Sequence, residues 1–147
     1  MNEHVAPDDC IFCRIVEGRA PAHRVLEDER TLVFMDLFPV TEGHTLIIPK
    51  AHCTNLLDVD EADLQAVARH SRVVAHAIRE VIAPDGIGVF QLNGAAAGPT
   101  VFHYHMHLIP RTKGGTLQLH TRVRGDPDQL ADTARRLAAA IPGKEAW

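Results

Sequence analysis

His103-Tyr104-His105-Met106-His107-Leu108-Ile109 sets a histidine at every second position with an apolar or aromatic residue between. This alternation is the pattern of a β-strand, whose successive side chains leave opposite faces of the sheet. His103, His105 and His107 therefore share one face, and Tyr104, Met106 and Leu108 share the other. At a rise of about 3.3 Å per residue the outer two histidines start roughly 13 Å apart, whereas zinc–nitrogen bonds are about 2 Å long. One metal ion cannot take all three. An adjacent pair can hold one, so a zinc hydrolase that uses His105 and His107 as ligands stays open. The other use of such a row is phosphate chemistry, because a neutral imidazole is a nucleophile and a protonated one a donor near pH 7. A polar face turned to solvent fits poorly with the clean apolar alternation behind it and the glycine-rich loop 93–99 ahead of it.

Around this segment the chain reads as one domain. Asp8 or Asp9 can cap a short helix through Ile11, Phe12, Ile15 and Val16, with Gly18 as a left-handed end. Three β-rich runs at 23–27, 31–37 and 44–48 are separated by Asp28-Glu29 and by the stretch from Pro39 to Gly43. From Asp60, Leu64, Val67, Ala68, Val74, Ala75, Ile78 and Val81 keep helical spacing until Pro84-Asp85-Gly86. Runs at 88–92 and 102–109 complete five strands, and a last helix opens at Asp126-Pro127 with Leu130, Ala134, Leu137 and Ile141 on one face. The expectation is an α+β fold. It has a five-stranded, mainly antiparallel sheet, one long helix, a short N-terminal helix and a C-terminal helix. Residues 1–9 are expected to be loosely ordered, 10–111 to form the domain, and 112–147 to form an extension whose helix packs on it.

Composition narrows the partners. A net charge of −4 gives no electrostatic attraction to a nucleic-acid polymer, so a small ligand fits better. No apolar run reaches the roughly 18 residues of a membrane span, and the start lacks the basic-then-apolar pattern of a secretory signal. A cytoplasmic location is the default expectation. Three cysteines in such a chain point to thiol or metal chemistry rather than a disulfide framework. Cys10-x-x-Cys13 alone can be redox-active, structural or coincidental. Cys53 reads as a free thiol, and His4, His23, His70, His76 and His120 read as surface or structural histidines.

The run from His103 to Ile109 resembles the defining motif of the histidine triad (HIT) family, His-φ-His-φ-His-φ-φ with φ apolar, and fills every position of it. The similarity extends from Cys10 to about Arg111, through Cys10-Ile11-Phe12-Cys13, Phe34-Met35-Asp36 and Gly43-His44-Thr45-Leu46-Ile47-Ile48-Pro49-Lys50. The resemblance implies a nucleoside phosphoramidate or nucleotide hydrolase that releases AMP through a covalent nucleotidyl-histidine. Short dinucleoside polyphosphates are alternative substrates, and a nucleotide-binding module with little turnover is the alternative function. His105 matches the nucleophile, while His107 and His44 match phosphate-side positions. Asn93 and Thr100 match polar positions that hold phosphate and leaving group. Asp36 matches the ribose-binding carboxylate, and Phe12, Ile15 and Leu37 match the walls around a base, with purine preferred. Cys10, Cys13, His52 and His103 match the ligands of a structural zinc in the members that carry this cysteine pair. A homodimer formed through the long helix and a sheet edge is implied as well. The sequence departs from the family where an amide donor commonly precedes the Ser or Thr, because Pro99 there has neither an N–H nor a side-chain donor.

Overall fold

The computed structural model describes residues 3–142. The expected segments at the two ends therefore lie outside the described residues at 1–2 and 143–147. Five strands, β1 (Arg24–Glu27), β2 (Thr31–Met35), β3 (Thr45–Pro49), β4 (Gly86–Phe90) and β5 (Met106–Arg111), form one antiparallel sheet in the order β1-β2-β3-β5-β4. Three α-helices accompany it: α1 (Ile11–Val16), α2 (Glu61–Val81) and α3 (Pro127–Ala139).

The sheet divides two hydrophobic layers, as period-two alternation requires. Val33, Met35, Ile47, Tyr104 and Leu108 face α2 and α3, where Val67, Val74, Ile78, Leu130 and Leu137 meet them. Leu32, Phe34, Leu46 and Ile48 face the other way onto Cys10, Phe12, Cys13 and Ile15 at α1. Both central strands are buried throughout, so neither face reads as solvated. Asp60 caps α2 by accepting from Ala62 N–H at 3.1 Å, and Asp126 caps α3 by accepting from Gln129 N–H at 3.0 Å.

Several boundaries differ from the sequence reading, two of them with a clear physical cause. The cap of α1 is Cys10, whose sulfur accepts from Cys13 N–H at 3.3 Å, and not Asp8 or Asp9, which lie in a preceding 3₁₀ turn. Ahead of α1, Val5 packs on the α1 layer and His4 Nδ1 lies 3.3 Å from Thr54 Oγ1. The histidine run is regular strand only from Met106 onward, because its partner β3 ends at Pro49, which has no N–H to continue the ladder. Tyr104 N–H donates instead to the Cys53 carbonyl at 2.9 Å. The alternation of faces survives: Tyr104 joins the α2 layer, while Phe12 of the α1 layer packs edge-on against both His103 and His105.

Gly43 turns the chain into β3 at φ +92°, and a Cβ there would come within 3.0 Å of Pro110 Cγ and 3.1 Å of Ile82 Cγ1. Both the backbone region and the space exclude a side chain. Gly43→Ala should therefore cost about 2 kcal/mol or more of stability, read as a lowered midpoint in chemical denaturation with an unchanged slope.

Candidate functional site

A cavity of about 400 Å³ opens on the α1 face of the sheet. Phe12 and Ile15 of α1, Leu37 after β2, and Thr100 line it, with Asp36, His44, His105 and His107. Eight of the nine side chains that sequence singled out as catalytic or nucleotide-binding thus border one space. Asn93 does not: its carboxamide oxygen accepts from Leu56 N–H at 2.8 Å and from Gln91 Nε2 at 2.9 Å. Sequence reasoning missed Phe34, Phe38 and Leu46, apolar wall residues with no signal to separate them from core. It also missed His120, Thr121 and Arg122, which reach the cavity from the stretch between β5 and α3. His120 is half-buried and not satisfied, since its Nε2 is buried without a hydrogen-bond partner among the described residues.

The hydrogen-bond partners assign the protons on the rings. His105 Nδ1 lies 2.7 Å from the His103 carbonyl, which only accepts, so the proton is on Nδ1 and Nε2 carries the free lone pair. Val40 N–H donates to His44 Nδ1 at 3.0 Å, so His44 holds its proton on Nε2. That proton points to His107 Nδ1, 2.9 Å away, which leaves His107 protonated on Nε2. His107 Nε2 is buried and finds no acceptor among the described residues, while its ring lies 4.9 Å from that of His105 and stacks on Phe90 at 4.5 Å. The cavity thus presents a nucleophilic nitrogen beside an N–H donor.

Burial keeps these rings neutral. It lowers the His44 pKa to about 3. It lowers the His107 pKa too, with help from the adjacent His105. His105 is also lowered by burial, against the opposing pull of the His103 carbonyl. Asp36 is pushed up to about 6 by burial, against the Phe38 N–H that donates to it at 2.9 Å. Its 3.4 Å contact with His44 is then that of a carboxyl with a neutral ring and not an ion pair.

Two clusters bring metal-ligating atoms within 4.8 Å of one another. In the first, Cys10, Cys13, His52 and His103 converge, with His52 Nδ1 3.2 Å from Cys13 Sγ and His103 Nδ1 3.3 Å from Cys10 Sγ. His103 Nε2 donates to the Pro49 carbonyl at 2.8 Å, which turns the Nδ1 lone pair toward the sulfurs in the way an outer carbonyl orients a zinc-bound histidine. Burial and the Cys10 thiol push Cys13 up to about 12, so this thiol stays protonated until a cation displaces the proton. The Cys₂His₂ donor set suits a closed tetrahedral zinc. The second cluster, Asp36, His44 and His107, does not fit a cation, because Val40 N–H holds the His44 proton on the nitrogen that would have to ligate. The same proton chain blocks His107 from pairing with His105 on one metal, so the open zinc-hydrolase reading fails.

The HIT domain family matches residues 17–114. Adenylylsulfatase HINT3 of Arabidopsis thaliana is 31% identical over 145 residues, spanning 94% of this chain and 74% of that protein. A HIT-like protein involved in cell-cycle regulation from Bartonella henselae superposes with a TM-score of 0.86 at 36% identity, covering 94% of this chain and all of the other. A zinc-bound histidine triad family protein from Mycobacterium smegmatis gives 0.82 at 39% identity over 96% and 99% of the two chains. The fold and the buried row of histidines are those of a nucleotide-binding hydrolase superfamily. The chain belongs to the histidine triad family, whose members are generally nucleotide hydrolases or transferases. Among the described residues no helix is long and apolar enough to cross a membrane.

Imidazole nitrogen shifts test the proton assignment directly. At pH 7, ¹⁵N-labelled protein should show His105 as the neutral Nδ1–H form, and His44 and His107 as the neutral Nε2–H forms. An imidazolium signal from any of the three would break the chain of donors.

Proposed function

We propose that this protein is a nucleoside phosphoramidate hydrolase that releases AMP through a nucleotidyl-His105 intermediate. The observation that carries this reading is the free Nε2 lone pair of His105, held by the His103 carbonyl at the edge of the cavity. That lone pair attacks the α-phosphorus. A P–N bond forms as the bond to the leaving group breaks, and the leaving group departs with its electron pair and takes up a proton. Water then attacks the same phosphorus and displaces the His105 nitrogen, which regains its lone pair as AMP leaves.

The remaining roles follow from chemistry. His107 Nε2–H donates to a non-bridging phosphoryl oxygen, and does so more strongly as negative charge builds there, with the His44 N–H fixing its tautomer. The Thr100 hydroxyl serves the leaving-group side. Asp36 accepts from the ribose hydroxyls, and Phe12, Ile15 and Leu37 cover a purine. The carboxamide oxygen of Asn93 is engaged elsewhere, so a contribution from it would come through the amide nitrogen. Dinucleoside polyphosphates fit the same steps. A homodimer is supported by the open edge of β4, where Val89 is half exposed.

Mixing the protein with an adenylated amine should release AMP and show a transient mass increase on the chain. His105→Ala should remove both while AMP still binds, a fall in kcat of about four orders of magnitude or more. Near-normal release by His105→Ala would sink the mechanism. Absence of release by the unaltered protein, with AMP binding intact, would favour the binding module, for which Pro99 supplies the motive.

We further propose one structural zinc per chain at Cys10, Cys13, His52 and His103. Bound there it would tie α1 to the start of the histidine run. Cys13→Ser should abolish zinc in elemental analysis of the purified protein and lower the melting temperature. His105→Ala should keep its zinc in full.

A further inference from the structure

The stretch from Lys113 to Gly125 carries no helix or strand, yet both its ends are fixed. At one end Lys113 N–H donates to Asp85 Oδ2 at 2.7 Å. At the other, Gly125 N–H donates to the Leu37 carbonyl at 2.9 Å, and Arg124 lies 5.7 Å over the Phe38 ring. Gly125 packs so closely that a Cβ would come within 2.9 Å of Pro39 Cδ. Between these anchors Leu117 and Val123 stay exposed, while His120 turns inward onto the cavity. Its ring stands 5.8 Å from that of His107, at a steep 75°, across from the row that holds the nucleophile.

We propose that His120 is a further substrate-contacting residue, held by this strap so that its Nε2, without a partner among the described residues, meets the phosphoryl group opposite His105 and His107. The inference rests on the nucleotide reading above and adds a wall to it. His107 offers one N–H to the phosphoryl oxygens, and Pro99 offers none from the loop beside Thr100. His120 brings an imidazole nitrogen from the remaining side of the cavity that Asp36, His44 and His105 also line. It lies outside residues 17–114, the span that matches the HIT domain description. A buried polar nitrogen with no partner is costly in the free protein, and a bound phosphoryl oxygen relieves that cost. The strap would thereby select ligands that carry the phosphate over those with the nucleoside alone.

Calorimetric titration of AMP and of adenosine into the unaltered protein and His120→Ala separates the possibilities. The unaltered protein should prefer AMP. His120→Ala should lose about tenfold or more of AMP affinity while adenosine affinity changes less than twofold, as removal of a hydrogen bond to a charged group predicts. Equal losses for both ligands, or no loss for either, would overturn the role of His120 and leave the nucleotide reading standing. An unaltered protein that binds AMP no better than adenosine would bring down the nucleotide reading and this inference together.

Discussion

The hydrogen bond from His105 Nδ1 to its near neighbour's carbonyl, 2.7 Å long at His103, is the contact on which the rest of the site depends. It is available only because the strand is interrupted there. A carbonyl inside a regular ladder is already taken by the neighbouring strand. Here β3 ends at Pro49, Tyr104 N–H turns to Cys53, and β5 pairs only from Met106. Two carbonyls, those of His103 and Pro49, are thereby free to accept from rings. One fixes the tautomer of His105, and the other fixes that of His103. A single break in pairing orients both the cavity nitrogen and the nitrogen that faces Cys10 and Cys13.

Burial works on the same rings in a second way. A phosphate site made of imidazolium ions would attract anions more strongly, but a protonated His105 would have no lone pair to give. Desolvation lowers the pKa of all three triad histidines and of His44, so the row is held neutral at pH 7. The donors that remain are N–H dipoles fixed before any ligand arrives, which need no reorganisation as charge develops. Neutrality also suits His103, since only a neutral imidazole can ligate a metal.

The alternation of the triad was legible because two-residue periodicity is set by strand geometry and outlasts the loss of regular pairing at Tyr104. The five strands and the long helix were legible for the same reason, through period two and period 3.6. Strand ends were not, because they depend on partners: where the run at 102–109 ceases to pair is decided by Pro49, more than fifty residues earlier. The cap of α1 was misread in a similar way. Asp8 and Asp9 are the better capping residues by type, but the cysteine sulfur is drawn into that position by the cluster with His52 and His103. His120 gave no signal at all, since residues 113–125 carry neither periodicity nor a motif, and its position follows only from anchors at Asp85 and Leu37.

The two sides of the cavity are held under different constraints. His107 lies in β5 and His105 one residue before it, between hydrophobic layers on the two faces of the sheet, where a change in shape would disturb the core on either side. Residues 113–125 carry no helix or strand, and Leu117 and Val123 between their fixed ends are exposed, so those positions can vary at little cost in stability. The cavity therefore joins a rigid half to an adaptable half. On the reading proposed above, the rigid half fixes where phosphorus sits relative to His105. The adaptable half, through Thr121, Arg122 and the ring of His120, faces whatever is attached to it. On the same reading, chemistry and selectivity are carried by segments under different constraints, and substitutions in the strap would alter ligand preference without touching the proton chain from Val40 through His44 to His107.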